Sequence, residues 1–342
     1  MKRRIIPVVL LLLFTNAVFA VKMVRLPGLM KPLSIAVDAD DYVIVDGITV
    51  CVYSLKTHKL KTKFGEKGEG PGEFKMPPNV MLLPDSIFAD TFDKAAWFSK
   101  EGKLLKEVKK TGFMTFIPFK EKMIGEQFIP DFKKHRISAA VNLLNSKLEK
   151  VKTIYNTQID VSMDMSFFKG DEEWKMLHHY YKLDGDWEKG RIFIADSRKG
   201  FFIAVFDENG KELYTIDKPV QQIEVTADYK KKALEKLKIE KKAVWERIKN
   251  RNFTFYKYFP PIKSFNVADG KLYVATYKIE KNKMEFVVLD LKGNLLKNVF
   301  LPIKNPEDMN RENFYYSICS GKLYHLVENE DSEEWELHIH DI

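Results

Sequence analysis

The sequence has little cysteine, no long apolar run and no low-complexity segment. Cys51 and Cys319 are its two cysteines, so it can form at most one disulfide. Each lies in an apolar, strand-like run, where a buried free thiol is the commoner state, and whether they pair is left open. Charges of both signs are mixed along the chain, which argues against disorder. No Gly-x-Ser-x-Gly motif is present, and no catalytic residue is assigned.

The longest apolar stretch lies at the N terminus and is too short to span a membrane. Lys2, Arg3 and Arg4 precede an apolar segment at 5–14, and small residues follow at 18–20. A membrane-spanning helix needs about 20 apolar residues, so this pattern predicts a cleavable signal peptide over 1–20. No cysteine follows it, so no lipoprotein anchor is expected. We expect residues 21–342 to form one periplasmic or secreted domain with no transmembrane segment.

Positive charge is concentrated in one part of the chain. There are 56 Lys and Arg against 48 Asp and Glu. Residues 226–252 hold ten Lys and Arg against four acidic residues. The net positive charge of this segment is larger than that of residues 21–342 as a whole. A local excess of this kind does not indicate a nucleic-acid-binding protein.

A repeat of four short strands accounts for most of the remaining sequence. In residues 33–65, strand-like runs at 33–38, 42–46, 50–55 and 60–64 alternate with polar turns, which is typical of one propeller blade. Comparable units are predicted at 80–108, 113–157, 172–218, 262–302 and 314–342.

Two features support a ring of six blades. A short polar turn with glycine precedes the outer strand at 99–103, 207–211 and 290–294. The last unit contains three strands, whereas residues 21–26 form an isolated strand before the first unit. Pairing of these ends would leave no open edge. The sequence therefore predicts an all-β, six-bladed β-propeller of four-stranded antiparallel blades, closed by the N-terminal strand.

One segment has helical rather than strand character. Residues 226–252 are rich in Lys, Glu, Leu and Ala and have apolar residues near helical spacing, which predicts an α-helix inserted between the fourth and fifth blades. It is either a solvated helix packing one apolar stripe or a docking surface for an acidic partner, an anionic polymer or membrane headgroups. The candidate binding residues on it are Lys230, Lys231, Lys232, Lys241, Lys242, Arg247 and Lys249.

Acidic and histidine side chains recur at strand positions. Asp46, Asp90 and Asp196 end equivalent strands in three units. They are candidates for binding Ca²⁺ or a cationic ligand at the channel mouth, or each caps the following turn through its backbone amides; their repetition favours the second interpretation. His338 and His340 share a face of the last strand, but no third zinc ligand is evident nearby, and no metal site is assigned.

One connection between units carries a family resemblance. Residues 64–74 read Phe-Gly-Glu-Lys-Gly-Glu-Gly-Pro-Gly-Glu-Phe. This resembles the inter-blade signature of bacterial six-bladed β-propeller proteins related to NHL-repeat propellers, as do the strands ending in aspartate and the segment 260–265 after the helix. The resemblance implies a propeller in an extracytoplasmic setting and does not imply one activity, since such propellers host binding and enzymatic roles alike.

Together these patterns favour binding over catalysis. We expect an exported, monomeric scaffold that binds a protein, peptide or small ligand through its channel face and inserted helix. The alternative is a metal-dependent hydrolase or lyase, similar to lactonases, with a site at the channel mouth. Three or more Asp, Glu, Asn or His side chains converging there would favour the enzyme.

Overall fold

The computed structural model describes most of the chain as a propeller. The described residues are 21–112, 115–131, 136–159, 174–175, 181–187, 189–240, 242, 245–246, 249–250, 252–303 and 315–342. Among them are six four-stranded antiparallel sheets, arranged as the blades of a ring. This confirms the predicted fold. The predicted signal peptide, 1–20, lies outside the described residues.

Five blades are each built from four consecutive strands, named A to D from the channel outwards. Blade 1 contains β2 (Pro32–Val37), β3 (Asp41–Asp46), β4 (Thr49–Ser54) and β5 (Leu60–Phe64). Blade 2 contains β6 (Asn79–Leu82), β7 (Ile87–Asp90), β8 (Lys94–Phe98) and β9 (Leu104–Lys109). Blade 3 contains β10 (Thr115–Phe119), β11 (Lys122–Asp131), β12 (Arg136–Leu144) and β13 (Lys150–Ile159).

The second half of the ring contains two further blades of this kind and the closing blade. Blade 4 contains β15 (Tyr181–Asp186), β16 (Arg191–Asp196), β17 (Phe201–Asp207) and β18 (Glu212–Lys218), with a 3-10 turn at Ser197–Lys199. Blade 5 contains β20 (Ser264–Ala268), β21 (Lys271–Glu280), β22 (Lys283–Asp290) and β23 (Leu295–Leu301). Blade 6 contains β24 (Tyr316–Cys319), β25 (Lys322–Asn329), β26 (Glu334–Asp341) and β1 (Lys22–Arg25).

The N-terminal strand closes the ring. β1 pairs antiparallel with β26, so that Lys22 lies opposite Ile339 and Arg25 opposite Glu336. The amide of Leu26 continues the ladder by donating to the Trp335 carbonyl at 2.9 Å. The predicted closure of the last blade is confirmed.

The core lies between the blades, because each sheet packs both of its faces against its neighbours. In blade 1 the middle strands β3 and β4 are buried on both sides, whereas β5 is largely exposed. Phe74, which ends the glycine-rich connection, is fully buried with Val43 and Val52 of blade 1 and Ala89 of blade 2. This connection therefore holds adjacent blades together through an apolar anchor.

The C–D turns repeat in four blades. In each, a side chain at the start of the turn accepts hydrogen bonds from amides two and four residues later, as Asp207 does from Asn209 (2.8 Å) and Lys211 (2.9 Å). The same arrangement is formed by Ser99, Asn145 and Asp290. Three copies were predicted from their glycines. The copy at Asn145 has Leu148 in the left-handed position, with φ of 64°.

The fourth blade begins later than the sequence predicts. Its inner strand starts at Tyr181, not near residue 172. The short strand β14 (Trp174–Lys175) instead pairs in parallel with β19 (Phe253–Thr254). Residues 174–175 thus belong to the connection between blades 3 and 4, because their backbone pairs with the helical insertion and not with β16.

Candidate binding face

One face of the ring carries nearly all of its elaborations. Strand direction alternates within a blade, so the B–C hairpins and the connections between blades share one face, called the projecting face below. The A–B and C–D turns share the other. The predicted helix lies in the connection between β18 and β20, and β14 lies in the connection between β13 and β15. Both insertions therefore lie on the projecting face, where β14 and β19 join them.

Three B–C hairpins extend beyond their inner strands on this face. In blade 3, β10 pairs with β11 only as far as Glu126, and β11 continues to Asp131. In blade 5, β20 pairs only as far as Ala275 of β21, which continues to Glu280. β25 of blade 6 likewise continues past its ladder with β24. Five extra residues extend a hairpin by roughly 16 Å.

The B–C hairpins of blades 1, 2 and 4 do not extend beyond their inner strands. Their B strands end opposite the first residues of their inner strands, at Asp46, Asp90 and Asp196. The projecting face is therefore uneven: it rises at blades 3, 5 and 6 and at the two insertions, and it stays low at blades 1 and 2.

The helix α1 (Ala227–Glu240) packs one side against the return of its own insertion. Ala233 and Leu237 are buried there beside Phe253 and Phe255. The helical residues Lys242, Trp245 and Glu246 follow α1, and the Trp245 ring stacks on Phe253 with centroids 5.6 Å apart. This apolar stripe fixes which side of α1 faces solvent.

An aromatic ladder joins α1 to the blade 5 hairpin. Tyr229 on α1 meets Phe259 edge-on at 4.7 Å, and Phe259 stacks on Tyr277 at 4.5 Å, measured between ring centroids. Tyr277 lies in the part of β21 that extends beyond β20. The helix therefore packs against the extended hairpin of blade 5 on the projecting face.

Four of the predicted lysines are exposed on this insertion. Lys231, Lys232 and Lys242 are exposed. Lys232 pairs with Asp228 at 3.0 Å, and Lys230 is half-buried, with its Nζ 5.8 Å from the Phe255 ring centroid. Lys249, also exposed, pairs with Glu246 at 2.5 Å. Lys241 and Arg247 lie outside the described residues.

The predicted aspartates do not share one site. The Asp46 carboxylate accepts from the amides of Met30 (3.0 Å) and Lys31 (2.5 Å), which fixes the entry to blade 1. Asp196 is buried and accepts from the hydroxyls of Tyr155 (2.9 Å) and Thr157 (2.7 Å) on the outer strand of blade 3.

Asp90 forms a buried ion pair with Lys110. The Lys110 Nζ lies 2.9 Å from Asp90 and also donates to the Thr91 carbonyl at 2.6 Å, and both charged side chains are almost fully enclosed. Burial raises the pKa of Asp90 to about 6, although Lys110 opposes this shift. The pair joins blade 2 to the start of blade 3, where the Phe116 amide donates to Asp90 at 3.3 Å.

Asp46 and Asp90 thus bind connections between blades, whereas Asp196 binds the outer strand of the preceding blade. The predicted cap of the following turn is found at Asp196 alone of the three, where the Arg198 amide donates at 3.1 Å. Among the described residues, no three His, Cys, Asp or Glu side chains are grouped so as to hold a metal ion. His338 bonds to Glu336 at 2.8 Å.

A half-buried carboxylate that sequence reasoning missed lies on the inner strand of blade 4. Asp184 accepts from the amide of Val267 on the inner strand of blade 5 at 2.7 Å and from Gly185 at 2.8 Å. Its position deep in the ring raises its pKa to about 6. No local motif marks this residue, because its partner is 83 positions away.

Exposed apolar side chains form two groups on the surface. One recurs near the start of the outer strand in all six blades, as at Leu60, Leu105 and Met23, and is a feature of the repeat. The other lies on the projecting face and does not repeat. Its members are Met30, Met76, Phe92, Phe128, Ile129, Ile239 and Ile279, of which Met30 is 85% exposed. Such side chains at irregular positions are typical of contact surfaces.

The blade 6 hairpin is acidic, which sequence reasoning also missed. Residues 328–336 contain six Asp and Glu and no Lys or Arg. Glu330, Asp331 and Glu333 are exposed at the tip between β25 and β26, whereas Glu336 is buried and bonds to Asn329 and His338. A count of acidic residues along 328–336 would have found this segment, but only the fold places it on the same face as the basic helix.

Comparisons with known proteins identify no family for this chain. No family model matches the chain. No curated protein matches it either. Among solved structures, the Neurospora crassa Pan2 WD40 domain is 10% identical with a TM-score of 0.42, over 91% of this chain and 89% of that one.

Two other similar structures show the same level of likeness. A chain of a mitotic checkpoint complex is 7% identical with a TM-score of 0.42, over 100% of this chain and 96% of that one. Kluyveromyces lactis Hsv2 is 10% identical with a TM-score of 0.40, over 91% and 98%. These values carry no argument about function. Within the described residues, no helix is long and apolar enough to cross a membrane.

Proposed function

We propose that this chain is an exported scaffold that binds another protein through its projecting face. The observation that carries the proposal is that three extended hairpins and both insertions lie on that one face. Elaborations on one side of a regular scaffold are the usual location of binding residues. The N-terminal pattern at 1–20 supports export. The 64–74 connection supports a relationship to NHL-like propellers.

The lysines of the insertion and the non-repeating apolar side chains supply the contact chemistry. Lysines exposed on α1 attract acidic surface at long range. Apolar side chains such as Phe92 and Ile129 supply area that is removed from water on binding. Asp46 and Asp90 support this surface indirectly, because they hold connections between blades in place. Asp196 does so by joining blade 4 to the outer strand of blade 3.

A site-specific photo-cross-linker tests the choice of face. The photoreactive residue replaces Ile129 on the blade 3 hairpin or, as a matched control, Leu105 on the outer strand of blade 2; these two side chains are 47% and 56% exposed. After irradiation in cells, we expect a discrete protein adduct from position 129 and none from position 105. Equal adducts from both positions, or an adduct from 105 alone, would contradict the proposal.

A further inference from the structure

Opposite charges lie on either side of the blade 5 hairpin. α1, with its lysines, is attached to that hairpin through Phe259 and Tyr277. The acidic tip of blade 6 lies on the other side, since blades 5 and 6 share a core that includes Phe286 and Leu323. The projecting face is therefore positive at α1 and negative at the blade 6 tip, with the blade 5 hairpin between them.

The two charged segments have net charges of equal magnitude and opposite sign. Residues 226–252 have ten Lys and Arg against four acidic residues, and residues 328–336 have six acidic residues and no basic one. Lys231 and Lys238 are exposed on α1, and no ion pair to either is found in the part of the chain that the structure describes. Each segment is thus complementary in charge to the other.

We propose that the partner bound at the projecting face is a second copy of this chain. In this symmetric dimer, α1 of one protomer lies against the blade 6 tip of its partner, and the reverse contact is made at the same time. The inference rests on the proposed function, because it needs the projecting face to be the contact surface. It replaces the monomer expected from the sequence, where the acidic hairpin had not been placed.

Symmetry determines which residues meet. A twofold interface brings the same patch of both subunits together, so that segment i meets segment j in two equivalent contacts. A twofold axis that exchanges α1 with the blade 6 tip must pass between them, across the blade 5 hairpin. Ile279, 39% exposed near the tip of that hairpin, would then lie near its own copy. An apolar residue at the axis and opposite charges at the flanks are the expected layout of such an interface.

A partner that carries only negative or only positive charge fits this surface less well. An acidic ligand along α1 would be repelled by Glu330, Asp331 and Glu333, and a basic ligand at the blade 6 tip would be repelled by α1. An anionic membrane would meet the acidic tip unfavourably for the same reason. A second copy, turned by half a rotation, satisfies both segments.

Charge reversal tests the dimer in purified mature protein. One variant carries Lys231→Glu, Lys238→Glu and Lys242→Glu; the other carries Glu330→Lys, Asp331→Lys and Glu333→Lys. By sedimentation equilibrium, wild type is expected to be a dimer whose Kd rises about tenfold when salt is raised from low to high concentration. Each variant alone is expected to bind itself about 100-fold more weakly, because like charges then face each other.

Mixing the two variants separates interface effects from misfolding. In the mixture, each reversed segment meets a segment of opposite charge, so a heterodimer of near wild-type affinity is expected. This outcome also shows that both variants are folded. Homodimers that survive reversal unchanged, or variants that remain monomeric when mixed, would overturn the proposal.

A cysteine at the axis gives an independent measurement. Ile279→Cys is expected to form an intermolecular disulfide under mild oxidation. Leu105→Cys, on an outer strand where the side chain is more exposed (56% against 39%), is the control. Wild type, in which Cys51 is buried, supplies the background level. A covalent dimer at 105 but not at 279 would refute this symmetry axis.

The two proposals fail in different ways. Wild type that is monomeric at about 100 µM overturns the dimer. If position 129 still captures a different protein in cells, the projecting face is confirmed as the contact surface and only its occupant is wrong. If wild type is monomeric and position 129 captures nothing, both proposals fail.

Discussion

At the scale of single residues, buried and half-buried carboxylates hold neighbouring blades together. Asp90 pairs with Lys110, Asp196 accepts from Tyr155 on the preceding blade, and Asp184 accepts from the Val267 amide on the following one. A buried carboxylate is costly unless its oxygens are satisfied. These partners therefore explain why acidic residues are tolerated between blades, with no ligand required.

The raised pKa of Asp184 predicts a specific pH dependence of stability. Its pKa is about 6 in the folded chain and about 3.9 in the unfolded chain. Between these values the folded state holds the extra proton, so the stability contributed by this group is complete below about pH 4 and is lost as the pH rises through about 6.

Asp184→Asn removes this titration and keeps an oxygen that can accept from Val267. By urea denaturation, we expect the free energy of unfolding of the variant to gain about 2–3 kcal/mol on wild type between pH 4 and pH 7.5, as a shift of about two pKa units requires. A difference that is the same at both pH values would contradict the assignment of the raised pKa to Asp184.

At the scale of elements, glycine marked three of the four repeated C–D turns. The copy in blade 3 was not predicted, because Leu148 occupies the left-handed position in place of glycine. Asn145 nevertheless accepts the same two hydrogen bonds as Asp207. The accepting side chain and the spacing of its donors define this turn better than glycine does, and a search on those features would have found it.

Glycine is nevertheless required where the turn touches the neighbouring blade. A Cβ added to Gly210, at φ of 68°, would lie 2.3 Å from the Cγ2 of Ile154 on the outer strand of blade 3. Gly47 has a similar φ of 61°, but an added Cβ there would have no atom within 4 Å. A substitution at Gly47 therefore tests the effect of the left-handed backbone alone, and one at Gly210 adds a steric clash between blades.

Alanine at these two glycines should therefore have unequal effects. Gly47→Ala is expected to lower the free energy of unfolding by about 1–2 kcal/mol, through the left-handed backbone alone. Gly210→Ala should lower it by about 2–4 kcal/mol, because β-branched Ile154 cannot easily turn away. Urea denaturation measures both. Equal losses in the free energy of unfolding would show that the neighbouring blade accommodates the added methyl group at no measurable cost.

At the scale of the whole molecule, counting strands predicted the ring but not its uneven face. The three strands of the last unit and the isolated strand at 21–26 predicted closure. The greater length of three hairpins could not be predicted, since alternation along β11 does not show that β10 begins opposite Glu126. The placement of α1 and the blade 6 tip on one face could not be predicted either, because it depends on closure of the ring.

Closure makes the first and last strands of the propeller interdependent. β1 begins close behind the predicted cleavage point at residue 20, so the expected processing leaves it intact. Its side chains at Lys22 and Met23 are exposed, and its contribution lies in backbone pairing with β26. Without it, β26 would present an unpaired edge, which favours edge-to-edge association.

Deleting residues 21–25 should therefore destabilise the ring more than changing their side chains. About four ladder hydrogen bonds are lost, and at about 1 kcal/mol each the free energy of unfolding should fall by roughly 2–4 kcal/mol. The double variant Lys22→Ala, Met23→Ala keeps the backbone and should stay within about 0.5 kcal/mol of wild type. Urea denaturation with light scattering measures stability and aggregation together. A deletion variant as stable and soluble as the double variant would mean that the blade 6 edge needs no fourth strand.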